Sequence, residues 1–96
     1  MECEVLVSTM NCKNKDELVR SMNIKKCIII NQVTQKDSKM LNDINSISRI
    51  LSYQEKGLSK SRNKALANSN ADICIVADDD LVYENNYDTI IKNAYN

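Results

Sequence analysis

The sequence predicts an α/β domain built on a mainly parallel sheet of about four strands flanked by helices, and three observations carry that prediction. Short apolar runs alternate with helix-periodic stretches in the order strand, helix, strand, strand, helix, strand, helix. Two of the runs, KCIIIN and DICIVA, are apolar almost throughout, as strands covered on both faces are. No internal repeat or low-complexity linker interrupts the pattern, and 96 residues suit a single domain spanning residues 1–96.

The first strand falls at residues 4–9 (EVLVST), which favour extended backbone. A polar turn through residues 11–14 leads into a helix over 16–22, whose Leu18, Val19 and Met22 share one face. The second strand is KCIIIN, residues 26–31. Residues 32–46 are polar and weakly periodic, and read as a long loop or a short irregular helix. The alternation in residues 46–53 (SISRILSY) predicts a third, more exposed strand. Gly57 breaks the chain, and Ser59 is the expected N-cap of a helix over 60–69 with Ala65, Leu66 and the staple position Leu58 on its apolar side. Residues 72–77 (DICIVA) form a second buried strand, followed by a helix over 84–95 with Tyr87, Ile90, Ile91 and Ala94 on one face.

Composition narrows the chemistry. Hydrophobic residues make up 43% and charged residues 27%, enough for a packed core. The 13 Lys and Arg balance 13 Asp and Glu, and the lysines are interleaved with acids, which argues against a nucleic-acid partner. The absence of histidine excludes a Ser/His/Asp triad, a Cys/His pair, His-ligated zinc and an imidazole base. Catalysis would have to come from carboxylates, Lys, Tyr, Cys or a bound cation. Cysteines at 3, 12, 27 and 74 form no C-x-x-C pair and read as reduced core or near-core thiols, which points to a cytoplasmic location. No segment approaches the ~18 apolar residues of a membrane helix, and the start is acidic where a signal peptide is basic, so no integral membrane segment is expected.

The candidate site is Asp78-Asp79-Asp80, directly after the strand DICIVA. Open parallel sheets bind ligands at the carboxyl ends of their strands. If the backbone stays extended, Asp78 and Asp80 share a face and Asp79 lies opposite. Neighbouring carboxylates repel unless a cation intervenes, and Mg2+ or Mn2+ joins one or two carboxylates to substrate phosphates. The same acids also suit a solvated loop or the first turn of the following helix. The stretch GLSKSRN (residues 57–63) sets a glycine turn and basic side chains at a helix start that can hold an anion, although such cations are commonly only a helix's wet face.

Three stretches in this order resemble the nucleotide-binding half of the family 2 inverting glycosyltransferases with the A-type fold. They are EVLVSTMN (residues 4–11), GLSKSRNKAL (57–66), similar to the family's Gly-Leu-Ser-x-x-Arg-Asn helix start, and ADICIVADDDLVY (71–83), similar to its strand ending in Asp-x-Asp. The resemblance covers nearly the whole chain. It implies an incomplete A-type, Rossmann-like fold that binds a nucleotide-diphospho-sugar, here a UDP-sugar, over the carboxyl edge of the sheet. Asp80 would be the main ligand of Mn2+ or Mg2+, Asp78 would face the ribose or the metal, and Asp79 would support them. Thr9 and Asn11 would line the base and ribose pocket, and Arg62 would reach the base or diphosphate.

Where the family's second strand commonly ends in an acid, this one ends in Asn31-Gln32. None of the remaining acids matches the family's catalytic base, so that residue stays unknown. The expectation is an N-terminal region that binds a sugar nucleotide better than it turns over, with a homodimer or other self-association through an open face. The alternative from a different class is a non-catalytic divalent-cation or nucleotide-binding α/β module.

Overall fold

A computed structural model describes residues 2–36 and 39–95. The elements in chain order are β1 (Cys3–Met10), α1 (Lys15–Met22), β2 (Cys27–Gln32), β3 (Ser48–Tyr53), α2 (Leu58–Asn68), β4 (Ile73–Asp78) and α3 (Tyr87–Ala94). The strands form one sheet of order β3-β2-β1-β4, parallel at every pairing, so the fold is α/β with a four-stranded, Rossmann-like sheet flanked by helices. Among the described residues no helix is long and apolar enough to cross a membrane.

The six residues of β2 are all buried, because its two faces meet two different layers. On one side Val5, Val7, Cys27, Ile29, Ile50 and Ala77 pack with Met22, Ile24 and Tyr87, beneath α1 and α3. On the other, Leu6, Ile28 and Ile30 pack against Ala65 of α2. Burial of these side chains is the main favourable term for a domain of this size.

β2 and β3 are parallel, so the chain must cross back between them. Residues 33–47 make that crossing without a helix among the described residues; Asp37 and Ser38, within the loop expected at 32–46, lie outside those residues. Lys15 fastens the loop. Its half-buried ammonium group donates to Asp43 Oδ2 at 2.7 Å, Ser46 Oγ at 3.1 Å and the Ser48 carbonyl at 2.8 Å, using all three of its donors. The Lys15 hydrogen bond also holds the Asp43 carboxyl below its ordinary range.

Several expectations are corrected. Strand β3 begins at Ser48 rather than 46, and Gln32 belongs to β2 rather than the loop. β4 is an edge strand with Cys74, Val76 and Asp78 exposed, because α2 lies across β1 and β2 instead. Cys74 is therefore no core thiol, whereas Cys3 and Cys27 are buried and Cys12 is half-buried. Burial pushes the Cys27 thiol up to about 12.

The helix expected at 60–69 starts at Leu58, and its N-cap is Gly57 rather than Ser59, with no side-chain cap bond. Leu58 and Leu66 are exposed, so Ala65 and Ser61 form its buried face. The last helix begins at Tyr87 rather than 84; its Tyr87 is buried while Ile90 is exposed.

The α2 C-terminus is joined to the sheet by a buried charge. Glu4 of β1 is fully buried and accepts from Arg49 Nη2 at 3.1 Å and from Ser69 Oγ at 2.6 Å. The same Arg49 nitrogen donates to the Asn68 carbonyl at 3.2 Å, placing a cation at the helix's negative end. Removing one partner of a buried pair strands the other in low dielectric. Arg49→Met should therefore lower the unfolding free energy by about 3 kcal/mol in urea titrations at pH 7, and the double variant Glu4→Met with Arg49→Met should recover most of that loss.

Candidate functional site

Parallel pairing sends the carboxyl ends of β1, β2 and β4 to one edge of the sheet, where they surround a cleft of about 490 Å3. Ser8, Thr9 and Met10 line it from β1, and Gln32 from β2. Asp78, Asp79 and Asp80 form its acidic side, while Lys56, Gly57 and Leu58 border it at the start of α2. The cleft thus sets carboxylates against a lysine and a helix N-terminus.

The acidic side is shaped by a turn rather than by extended backbone. β4 ends at Asp78, and the Leu81 N–H reaches back to the Asp78 carbonyl at 3.4 Å, folding the chain at Asp79 and Asp80. The alternation expected to pair Asp78 with Asp80 therefore stops at the strand's end. Thr9, which is almost fully buried, donates through Oγ1 to Asp79 Oδ2 at 2.7 Å. That bond fixes the middle carboxylate against β1, and among the described residues Asp78 and Asp80 are the two cleft carboxylates without a hydrogen-bonded side-chain partner.

Beyond the turn, the Tyr83 N–H donates to the Met22 carbonyl at 2.8 Å, and Asn23 Nδ2 donates to the Tyr83 carbonyl at 2.9 Å. The Tyr87 hydroxyl accepts from the Lys25 N–H at 2.9 Å, and the Tyr83 and Tyr87 rings meet edge to face with centroids 5.0 Å apart. These contacts carry the exposed acidic turn on an anchored segment.

The opposite side is clamped at two points. Gln32 Nε2 donates to the Gly57 carbonyl at 2.8 Å, and Ser61 Oγ donates to Ser8 Oγ at 2.7 Å. The first turn of α2 is thereby tied to both central strands, with no side chain capping its N-terminus. Gly57 has φ +131°, a backbone conformation that L side chains rarely adopt.

The other candidates occupy different places. Asn11 sits in a left-handed conformation with φ +50°, where an asparagine is well tolerated. Its Oδ1 accepts from the backbone N–H of Thr34 and Gln35, and its Nδ2 donates to Thr34 Oγ1, so it braces the loop after β2 beside the cleft. Arg62 is exposed on α2 and does not line the cleft. Asn31 is fully buried, accepting from the Cys12 N–H and donating to Ser52, so both ends of its amide serve the fold. Burial raises the nearby Cys12 thiol above its ordinary value, with the Asn14 backbone hydrogen bond acting the other way.

Ser8 and Lys56 were not legible as site features, and the contacts by which Gln32 and Ser61 tie α2 to the sheet depend on partners 25 or more residues away. Among the described residues no three His, Cys, Asp or Glu side chains come together as a metal cluster. Two carboxylates remain compatible with a hard cation that takes its other oxygens from a diphosphate and water. Compared with protein-family models, curated proteins and solved structures, the chain matches none.

The glycine at the cleft gives a direct test of its backbone. An added Cβ would find its nearest neighbour, the Lys60 Cδ, at 3.9 Å, so space is not limiting and only the dihedral is. Gly57→Ala should cost about 1–3 kcal/mol in thermal or urea unfolding. A neutral result would show that the backbone can relax.

Proposed function

We propose that the chain is the nucleotide-sugar-binding region of a metal-dependent glycosyltransferase similar to the family 2 inverting enzymes with the A-type fold. The observation that carries this reading is the cleft itself, in which Asp78 and Asp80 stand across from Lys56 and the uncapped start of α2 at the carboxyl edge of a parallel sheet. A nucleotide diphosphate has the matching chemistry. Its negative oxygens suit both a carboxylate-held cation and a helix N-terminus.

In this reading Asp78 and Asp80 hold Mn2+ or Mg2+, and Thr9 keeps Asp79 out of the ligand set through its 2.7 Å hydrogen bond. The cation, when bound, neutralises charge that grows on the diphosphate leaving group as the glycosidic bond breaks. Thr9 bounds the base and ribose pocket and Asn11 shapes its rim by holding the 34–35 backbone, while Arg62, outside the cleft lining, would have to swing in from the exposed side of α2 to reach the base or diphosphate. A UDP-sugar is the proposed ligand.

Among the described residues Asp78, Asp79 and Asp80 supply all the carboxylates that line the cleft, and no other is assigned as base for an acceptor hydroxyl. That feature also suits a cation-dependent nucleotide-binding module without transfer activity. The two readings share the site and differ in turnover.

Titration calorimetry of uridine diphosphate into the chain should give saturable binding with Mn2+ and none with excess chelator. Asp80→Asn should weaken the cation-dependent binding at least about tenfold, roughly 1.4 kcal/mol, with an unchanged circular dichroism spectrum. Equal affinity in the variant, or binding indifferent to chelator, would sink the assignment.

A further inference from the structure

Ser8 and Thr9 bring two hydroxyls to the cleft from neighbouring positions of β1, and the fold uses them differently. Thr9 alternates with Val5 and Val7 on the face of α1 and α3, where its one proton goes to Asp79. Ser8 alternates with Leu6 on the face covered by α2, and the parallel register sets it between Ile30 of β2 and Asp78 of β4. Ser61 stands four residues before Ala65 and shares the buried face of α2, with 1% of its surface exposed. Its Oγ donates to Ser8 Oγ at 2.7 Å.

A hydroxyl has one proton to give and two lone pairs to accept with. Ser61 spends its proton on Ser8, so Ser8 accepts that bond and keeps its own proton. Among the described residues Ser8 Oγ donates no hydrogen bond in return, and it is not bonded to Asp78, which stands beside it in register on the same face. The bond from Ser61 narrows the rotation of the Ser8 hydroxyl, and accepting one bond strengthens the bond a hydroxyl donates. Half-buried Ser8 is thus an oriented donor in the cleft lining whose acceptor lies outside the fold. An anionic oxygen suits it best, because charge-assisted hydrogen bonds are roughly twice as strong as neutral ones. Lys56 borders the same cleft, so an anion there meets a donor from the sheet and a cation beside α2.

We infer that Ser8 is a binding residue for an anionic oxygen of the nucleotide diphosphate, and that Ser61 is its positioning residue. The inference rests on the nucleotide-binding reading above and adds to it a direct donor from β1. Asp78 and Asp80 act on the diphosphate through the cation, whereas Ser8 acts on it without one.

The test is calorimetry of uridine diphosphate in Mn2+ with the wild-type chain, Ser8→Ala, Ser61→Ala and the double variant, each first shown to be folded by circular dichroism. Binding of Mn2+ alone is followed in parallel by electron paramagnetic resonance. Ser8→Ala should weaken nucleotide binding about tenfold and leave binding of Mn2+ alone unchanged. Ser61→Ala should weaken nucleotide binding about threefold, and the double variant should match Ser8→Ala, because Ser61 acts only through Ser8. Losses that simply multiply in the double variant would make Ser61 a structural residue and overturn its positioning role. Equal nucleotide affinity in wild type and Ser8→Ala would overturn the inference while leaving the nucleotide-binding reading intact. A matching loss of Mn2+ alone in Ser8→Ala would put the Ser8 proton on Asp78 and overturn it as well. Absence of nucleotide binding by the wild-type chain would overturn the nucleotide-binding reading itself, and this inference with it.

Discussion

The structure depends on one constraint, the burial of β2 on both of its faces. All six of its residues, Cys27–Gln32, are inside, and four of them are apolar. A strand so placed needs a layer above and a layer below, which α1 with α3 and α2 supply. Its neighbours run parallel to it and are joined by crossovers, which put every carboxyl end of the sheet on one side of the molecule. The cleft is a consequence of that arrangement, because Thr9, Gln32 and Asp78 finish adjacent strands at the same edge.

Helix α2 is held both by a narrow apolar face and by polar contacts at its two ends. Only Ala65 and Ser61 are buried along its length. At its C-terminus Glu4, Arg49 and Ser69 lock it to the sheet, and at its N-terminus Gln32 and Ser61 do so. Among the described residues no buried side-chain polar atom lacks a partner, as a fixed polar network requires. The first turn of α2 is thus held at the cleft by contacts within the fold, the preorganisation that the proposed binding of a charged group would call for.

Much of this was legible in the sequence for a physical reason. The apolar run of β2 and the alternation of β1 report burial directly, and burial fixes the strand order's interior. The position of Asp78 to Asp80 at the cleft was legible because they follow directly on a strand's carboxyl end, although the same acids also suited a solvated loop or a helix's first turn. The edge status of β4 was not, since DICIVA reads as buried and only the reach of α2 decides that Cys74 and Val76 are open. The start of α2 was missed by two residues because Ser59 is the better cap by residue type, whereas Gln32, distant in sequence, holds Gly57 in the capping place. The hold of Thr9 on Asp79 at the turn was likewise invisible, since it comes from another strand.

The central claim is that a cation and a nucleotide diphosphate share the cleft between β4 and α2. Paramagnetic broadening by Mn2+ in the presence of uridine diphosphate, read from the amide resonances of the labelled chain, tests it most directly. The account predicts that signals from residues 8–10, 57–59 and 78–81 broaden first, while those of residues 43–48, fastened by Lys15 at the far edge, stay sharp. Broadening centred elsewhere, or unchanged when Asp78 and Asp80 are both replaced by Asn, would contradict it.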